Sequence, residues 1–124
     1  MKLSETKILG THDSTSYGTH FPLSIFAKCQ DVNLEEQLKL GVRYFDIRLN
    51  YDGIKNGMQC YHGIAKCNIS WVEVISILKK FIDSNKNEFV LLRVYRADDQ
   101  TGKRNITNED WEYKFKNELF DYIN

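Results

Sequence analysis

Proline is almost absent from this chain of 124 residues, and long apolar runs and an excess of either charge are missing. With a single proline, Pro22, no internal repeat and no low-complexity tract, the sequence has no stiff linker and reads as one compact unit. Lysine plus arginine and aspartate plus glutamate number 17 each, so no net field steers the chain toward nucleic acid, and no nucleic-acid partner is expected. Recognition of an anion must then be local. Nowhere do roughly 18 apolar residues run together as a membrane helix needs, and MKLSETKILG has no signal-peptide core. The expected location is therefore cytoplasmic or peripheral to a membrane, with any lipid met at the bilayer surface. Cysteines are few and odd in number: Cys29, Cys60 and Cys67 leave one unpaired in any disulfide scheme, which favours a reducing compartment or use in the core. Cys60, His62 and Cys67 lack the second pair that a structural zinc site needs. The N-x-S/T triplets at Asn68 and Asn105 matter only in a secreted chain.

What is present is the balance of a globular domain, 42% hydrophobic and 27% charged. A short strand around Lys7 to Leu9 runs into Gly10 and the polar cluster THDSTS. Asn33 is placed to cap a helix through Leu40, with Glu36 at its third position and Gly41 as its stop. Strands are predicted over Val42 to Leu49 and Met58 to His62, each ending in polar residues. Ser70 caps the clearest helix, where Val74, Ile75, Leu78, Phe81 and Ile82 make one apolar face. The run from Phe89 to Tyr95 is apolar enough for a strand covered on both faces of a parallel sheet. A polar loop from Ala97 to Asn108 precedes a last helix, Asn108 to Ile123, whose stripe is Trp111, Phe115, Leu119 and Tyr122. Polar residues at the C-terminal ends of strands are where open α/β sheets and (β/α)8 barrels place their chemistry.

Three strings at such ends belong together: GTHDS at Gly10 to Ser14, FDIR at Phe45 to Arg48, and YHG at Tyr61 to Gly63. Two histidines and an arginine are sufficient to cleave a phosphodiester with an internal hydroxyl, supplying a base, an acid and a fixed cation. Histidine suits both proton roles because its ordinary pKa lies near about 6.5, and arginine suits the third because its planar fork can donate two hydrogen bonds to phosphate oxygens.

These strings, with LGVRYFDIR and the later NEFVLLRV, resemble the X domain of phosphatidylinositol-specific phospholipases C from about Ile8 to Tyr95. The resemblance implies an α/β fold, the N-terminal half of a distorted (β/α)8 TIM barrel with about four parallel strands and their helices, and makes residues 1–124 a partial X domain. It implies cleavage of phosphatidylinositol to diacylglycerol and a cyclic inositol phosphate, with His12 as general base on the inositol 2-hydroxyl and His62 as general acid on the leaving oxygen. Arg48 then neutralises phosphoryl charge, and Asp13 holds Arg48 and the acid in register. Arg93 and Arg96 are candidate substrate contacts near the end of their strand, where Tyr95 competes for the relevant position. The calcium-dependent branch of the family has a metal-binding carboxylate where Arg48 stands, so no cofactor is expected and the metal-independent, bacterial-type branch is the match. Calcium held through Asp46 is the alternative.

Other readings of the same residues are structural. His12 and Asp13 suit a turn, Asp46 and Arg48 share a strand face as an ion pair would, and His20 sits in no motif. A full barrel takes roughly 250 residues, so an unpaired edge at the last strand is expected, and the resemblance implies that the carboxylate orienting the base comes from later strands outside these residues. The partners expected are phosphatidylinositol at a membrane surface and a second copy or chain completing the barrel. The alternative function is a non-catalytic remnant that binds phosphoinositide or a partner.

Overall fold

The computed structural model describes residues 7–12, 14–15, 33–62, 65–97 and 106–123. Asp13, His20, Cys29 and most of the loop between Ala97 and Asn108 lie outside the described residues. The elements are β1 (Leu9–Thr11), α1 (Leu34–Lys39), β2 (Val42–Tyr51), the short α2 (Gly53–Asn56), β3 (Met58–His62), β4 (Ala65–Ser70), α3 (Trp71–Ser84), β5 (Leu91–Arg96) and α4 (Asn108–Ile123).

Both capping expectations hold. The Asn33 side chain accepts from the Glu36 N–H at 2.9 Å, and the Ser70 hydroxyl accepts from the Glu73 N–H at 3.1 Å, each satisfying a donor that the first turn leaves orphaned. Gly41, at a φ of +95°, ends the α1 segment in the left-handed region that only glycine enters without a Cβ penalty. Thr107 caps α4, its hydroxyl accepting from the Asp110 N–H.

One sheet holds all five strands, and β2 is its centre. Phe45 pairs with both Thr11 and Leu92, and Leu49 with both Cys60 and Arg96. β5 therefore occupies one edge of β2, while β1 and β3 share the other, β1 along the first half and β3 along Leu49–Tyr51. The parallel set is β1, β2 and β5. Met58–His62, expected as the third of about four parallel strands, runs antiparallel to β2 and folds back through β4, which the sequence reading did not contain. Only Asp52 to Gly57 separates β2 from β3, and a parallel return needs a crossover of about a dozen residues. The hairpin is irregular between Gln59 and Tyr61, and Asn68 on β4 takes a φ of +56°, a conformation that asparagine tolerates better than most residues.

Side-chain alternation along β2 divides the sheet into two faces. Phe45, Ile47 and Leu49 pack beneath the helices with Leu34 and Leu38 of α1, Trp71, Val74 and Ile75 of α3, and Met58, Cys60 and Cys67 of the hairpin. Trp71 is fully buried and meets Phe115 of α4, with ring centroids 5.3 Å apart. Tyr122, expected on that stripe, is largely exposed. β5 is not covered on both faces as its composition suggests: it pairs with β2 alone among the described residues, and Leu92 and Arg93 are exposed.

Glu118 fastens α4 to the start of β3, its carboxylate accepting from the Met58 N–H at 3.2 Å. Burial pushes its carboxyl above the usual range, against the opposing pull of the Met58 N–H and of Lys114. A raised carboxyl binds its proton more tightly in the folded chain, so this group's contribution to stability is fullest below the ordinary glutamate range and declines as pH rises through the folded value. Glu118→Gln keeps an acceptor for Met58 and removes the titration. Its melting temperature relative to the parent is expected to rise between about pH 4 and pH 7, as read by thermal unfolding at both ends.

Candidate active site

The site forms on the other face of the sheet. Gly10 lies opposite Tyr44 and Thr11 opposite Phe45, so the next residue, His12, comes level with Asp46 as β1 ends. Asp46 and Arg48 project from the same side of β2, and the parallel pairing of Asp46 with Arg93 and Arg48 with Tyr95 adds two β5 residues to that side. Gly10 permits this layout, since a Cβ there would meet the Tyr44 ring at 3.0 Å. A cleft of about 270 Å³ results, lined by Gly10, Thr11, His12, Tyr44, Asp46 and Arg93.

Asp46 is the hinge of the electrostatics. Its Oδ2 lies 3.1 Å from His12 Nδ1 and 3.3 Å from Arg48 Nη2. Arg48 and Asp46 have side chains only 10% and 8% exposed, whereas His12 is 66% exposed. A carboxylate facing Nδ1 selects the tautomer in which Nδ1 carries the proton and Nε2 is the basic nitrogen. With that proton in place, the 3.5 Å approach of Arg48 Nη2 to Nδ1 sets two donors side by side, each directed to the same carboxylate oxygen. Tyr95 backs the arrangement: the guanidinium of Arg48 lies 4.9 Å, and that of Arg93 5.0 Å, from the centre of its ring.

The segment after His12 is stitched to its neighbours. The Ser14 N–H donates to the Asp46 carbonyl at 3.0 Å, and the Asp46 N–H donates to the Ser14 hydroxyl at 2.9 Å. Thr15, buried, lies beside the Cys60 side chain of β3. His62 ends that strand. The pairing of β3 with β2 runs from Met58 opposite Tyr51 to Cys60 opposite Leu49, and His62 lies two residues past its end. Tyr61 anchors the hairpin by donating its hydroxyl to Asp52 at 2.7 Å, and Lys66 meets Asp52 at 3.1 Å. Burial and that carboxylate push the Tyr61 phenol up, so it stays a donor.

Residues 3–121 match the family described as phosphatidylinositol-specific phospholipase C, X domain. The chain belongs to this family. It is 29% identical over 117 residues to the 1-phosphatidylinositol phosphodiesterase of Listeria monocytogenes and 30% identical over 118 residues to that of Staphylococcus aureus. These alignments cover 92% and 93% of this chain but 33% and 38% of the relatives. Among solved structures, a double mutant of the Staphylococcus aureus phosphatidylinositol-specific phospholipase C superposes with a TM-score of 0.79 at 28% identity, covering 98% of this chain and 40% of that one. The Listeria monocytogenes enzyme gives 0.78 at 25% identity, with 97% and 40% covered. The open α/β sheet with its helices is the corresponding part of a distorted TIM barrel.

Of the residues singled out from sequence, the structure brings together His12, Arg48 and Arg93, and His62 ends β3. Asp13 lies outside the described residues. Arg96 is not in the cluster: alternation turns it away from Arg93 and Tyr95, and its buried guanidinium donates to Asn108 Oδ1 at 2.9 Å and to the Ile106 carbonyl at 2.7 Å, which fixes the entry to α4. Asp46, which the sequence reading left as a structural partner of Arg48 or a calcium ligand, also meets His12 Nδ1. Its signal was present in the period-two spacing of FDIR, but recognising it needed the β1 register.

Asp46→Ala removes one member of a buried pair and leaves the Arg48 charge uncompensated. It is expected to cost about 3–5 kcal/mol in urea unfolding, and Asp46→Ala with Arg48→Met to recover most of that loss.

Proposed function

We propose that this chain carries the proton-transfer groups of a phosphodiesterase acting on phosphatidylinositol at a membrane surface. The chain spans about a third to two-fifths of the length of its curated relatives, and their printed activity, 1-phosphatidylinositol phosphodiesterase, is the reaction assigned here. The observation that carries the reading is the single carboxylate oxygen of Asp46 that holds both the His12 imidazole and the Arg48 guanidinium. A base whose tautomer is fixed and a cation whose position is fixed stand beside one cleft, which is the preorganisation that phosphoryl transfer requires.

In the proposed step, His12 Nε2 takes the proton of the inositol 2-hydroxyl as its oxygen attacks phosphorus. The bond from phosphorus to the diacylglycerol oxygen breaks, and His62 returns a proton to that oxygen. Diacylglycerol and a cyclic inositol phosphate leave, with Arg48 offsetting the charge that gathers on the phosphoryl oxygens. Asp13 keeps Arg48 and His62 in register, and Arg93 supplies a second cation at the cleft wall. Water entering afterwards would open the cyclic product through the same histidines in exchanged roles, as microscopic reversibility requires.

A divalent cation does not suit this donor set. Asp46 is the carboxylate among the described residues lining the cleft, it already faces a guanidinium at 3.3 Å, and that fixed positive charge opposes a second one. Membrane contact is peripheral in this reading, consistent with the absence, among the described residues, of any helix long and apolar enough to cross a membrane.

The test is release of cyclic inositol phosphate from phosphatidylinositol vesicles by the purified chain, with and without EDTA. Release is expected to be indifferent to EDTA, to fall about 10²–10⁴-fold in His12→Ala and in His62→Ala, and to fall about 10²–10³-fold in Arg48→Lys. A folded chain that binds the vesicles and releases nothing would replace this reading with the headgroup-binding one. Activity found only in a dimer would assign the rest of the barrel to a second copy.

A further inference from the structure

The His12 segment is held from a side that the catalytic strings do not include. Gln37, on α1, is 1% exposed, although a glutamine on so short a helix would ordinarily turn to solvent. Its side-chain amide is used at both ends by residues that bracket the histidine: the Thr11 hydroxyl donates to Gln37 Oε1 at 2.8 Å, and Gln37 Nε2 donates to the Ser14 carbonyl at 2.9 Å. The proton directions follow. Thr11 has one hydroxyl hydrogen and gives it to Gln37, so the Ser14 hydroxyl is the donor in the 2.7 Å contact between the two hydroxyls, its one hydrogen shared with the Thr11 carbonyl at 3.2 Å. Ser14 in turn accepts from the Asp46 N–H. An ordered chain of donors therefore runs from the Asp46 backbone through Ser14 and Thr11 to Gln37, and returns from Gln37 to Ser14.

We infer that Gln37 is a positioning residue for His12, fixing the histidine against Asp46 by clamping both flanks of its loop. The inference rests on the reading of His12 as the proton acceptor. Only a group with an acceptor and a donor about two ångströms apart on one rigid plane can serve Thr11 and Ser14 together. A glutamate at position 37 matches that pattern only while its carboxyl is protonated; once ionised it is acceptor-only and faces the Ser14 carbonyl without a donor. An apolar residue of similar length supports α1 packing and holds neither flank.

The experiment compares the chain with Gln37→Met and Gln37→Glu, first by long-range proton–nitrogen NMR of the His12 ring and then by kinetics on phosphatidylinositol vesicles. In the parent the His12 signals are expected to report the Nδ1–H tautomer. In Gln37→Met, with cooperative unfolding retained, they should move toward an average of both tautomers, and kcat should fall about 10–100-fold with KM within about 2-fold, as expected of a misplaced rather than a missing group. In Gln37→Glu the alkaline limb of the kcat profile should move to lower pH, because ionisation of the new carboxyl removes the donor to Ser14. An unchanged His12 tautomer in folded Gln37→Met overturns the inference. If Gln37→Met does not fold, Thr11→Val removes the same contact from the loop side, and an unchanged tautomer there overturns it equally. The two readings fail differently. Activity that survives His12→Ala removes the catalytic reading, whereas a His12-dependent activity with kcat and tautomer both indifferent to Gln37 removes this one alone.

Discussion

The site depends on a carboxylate that would be unstable where it lies without two partners. Asp46 sits in the central strand, nearly removed from water, where a carboxylate without partners would bear a heavy desolvation cost. Arg48 supplies the opposite charge from the same strand face, and His12 supplies a further donor from β1. Each of the three therefore constrains the others: the anion fixes the tautomer of the imidazole and the direction of the guanidinium, and those two donors justify an anion at that depth. Pairs of this kind contribute little net stability, because desolvation offsets most of the attraction, and their worth lies in specifying one arrangement.

That arrangement is inherited from strand register. β2 has neighbours on both edges, so its residues are fixed in height relative to Thr11 on one side and to Arg93 and Tyr95 on the other. A slip of one residue in β1 would carry His12 past Asp46 and turn alternate side chains to the wrong face. The apolar half of β2 resists this, because Phe45, Ile47 and Leu49 are fully buried beneath the helices. Core packing on one face of the sheet thus sets the layout on the other, although among the described residues no core side chain lines the cleft.

The sequence was most legible where the signal was local. Asn33, Gly41 and Ser70 mark helix ends by their own side-chain and backbone chemistry, and the structure uses each of them as expected. The strings around His12 and Arg48 also declared themselves. Pairing direction and parity were less visible because they depend on residues distant in the chain. Met58–His62 has the composition of any strand, and only the shortness of its link to β2 betrays that it must run antiparallel. Arg93 and Arg96 differ by an odd number of positions, so they take opposite faces, and an uncertain strand boundary was enough to confuse the cleft residue with the one that anchors α4. Gln37 looked like an ordinary polar helix position, since nothing nearby in sequence reveals that Thr11 and Ser14 are waiting for its amide.

Buried Thr15, on the segment after His12, lies beside buried Cys60, on the strand that ends at His62. Burial, foremost, keeps the Cys60 thiol far above its ordinary range, so it holds its proton under any condition in which the fold persists near neutrality. Histidines in general change charge within that same range. The contact between Thr15 and Cys60 is therefore one whose charge does not change while the fold persists.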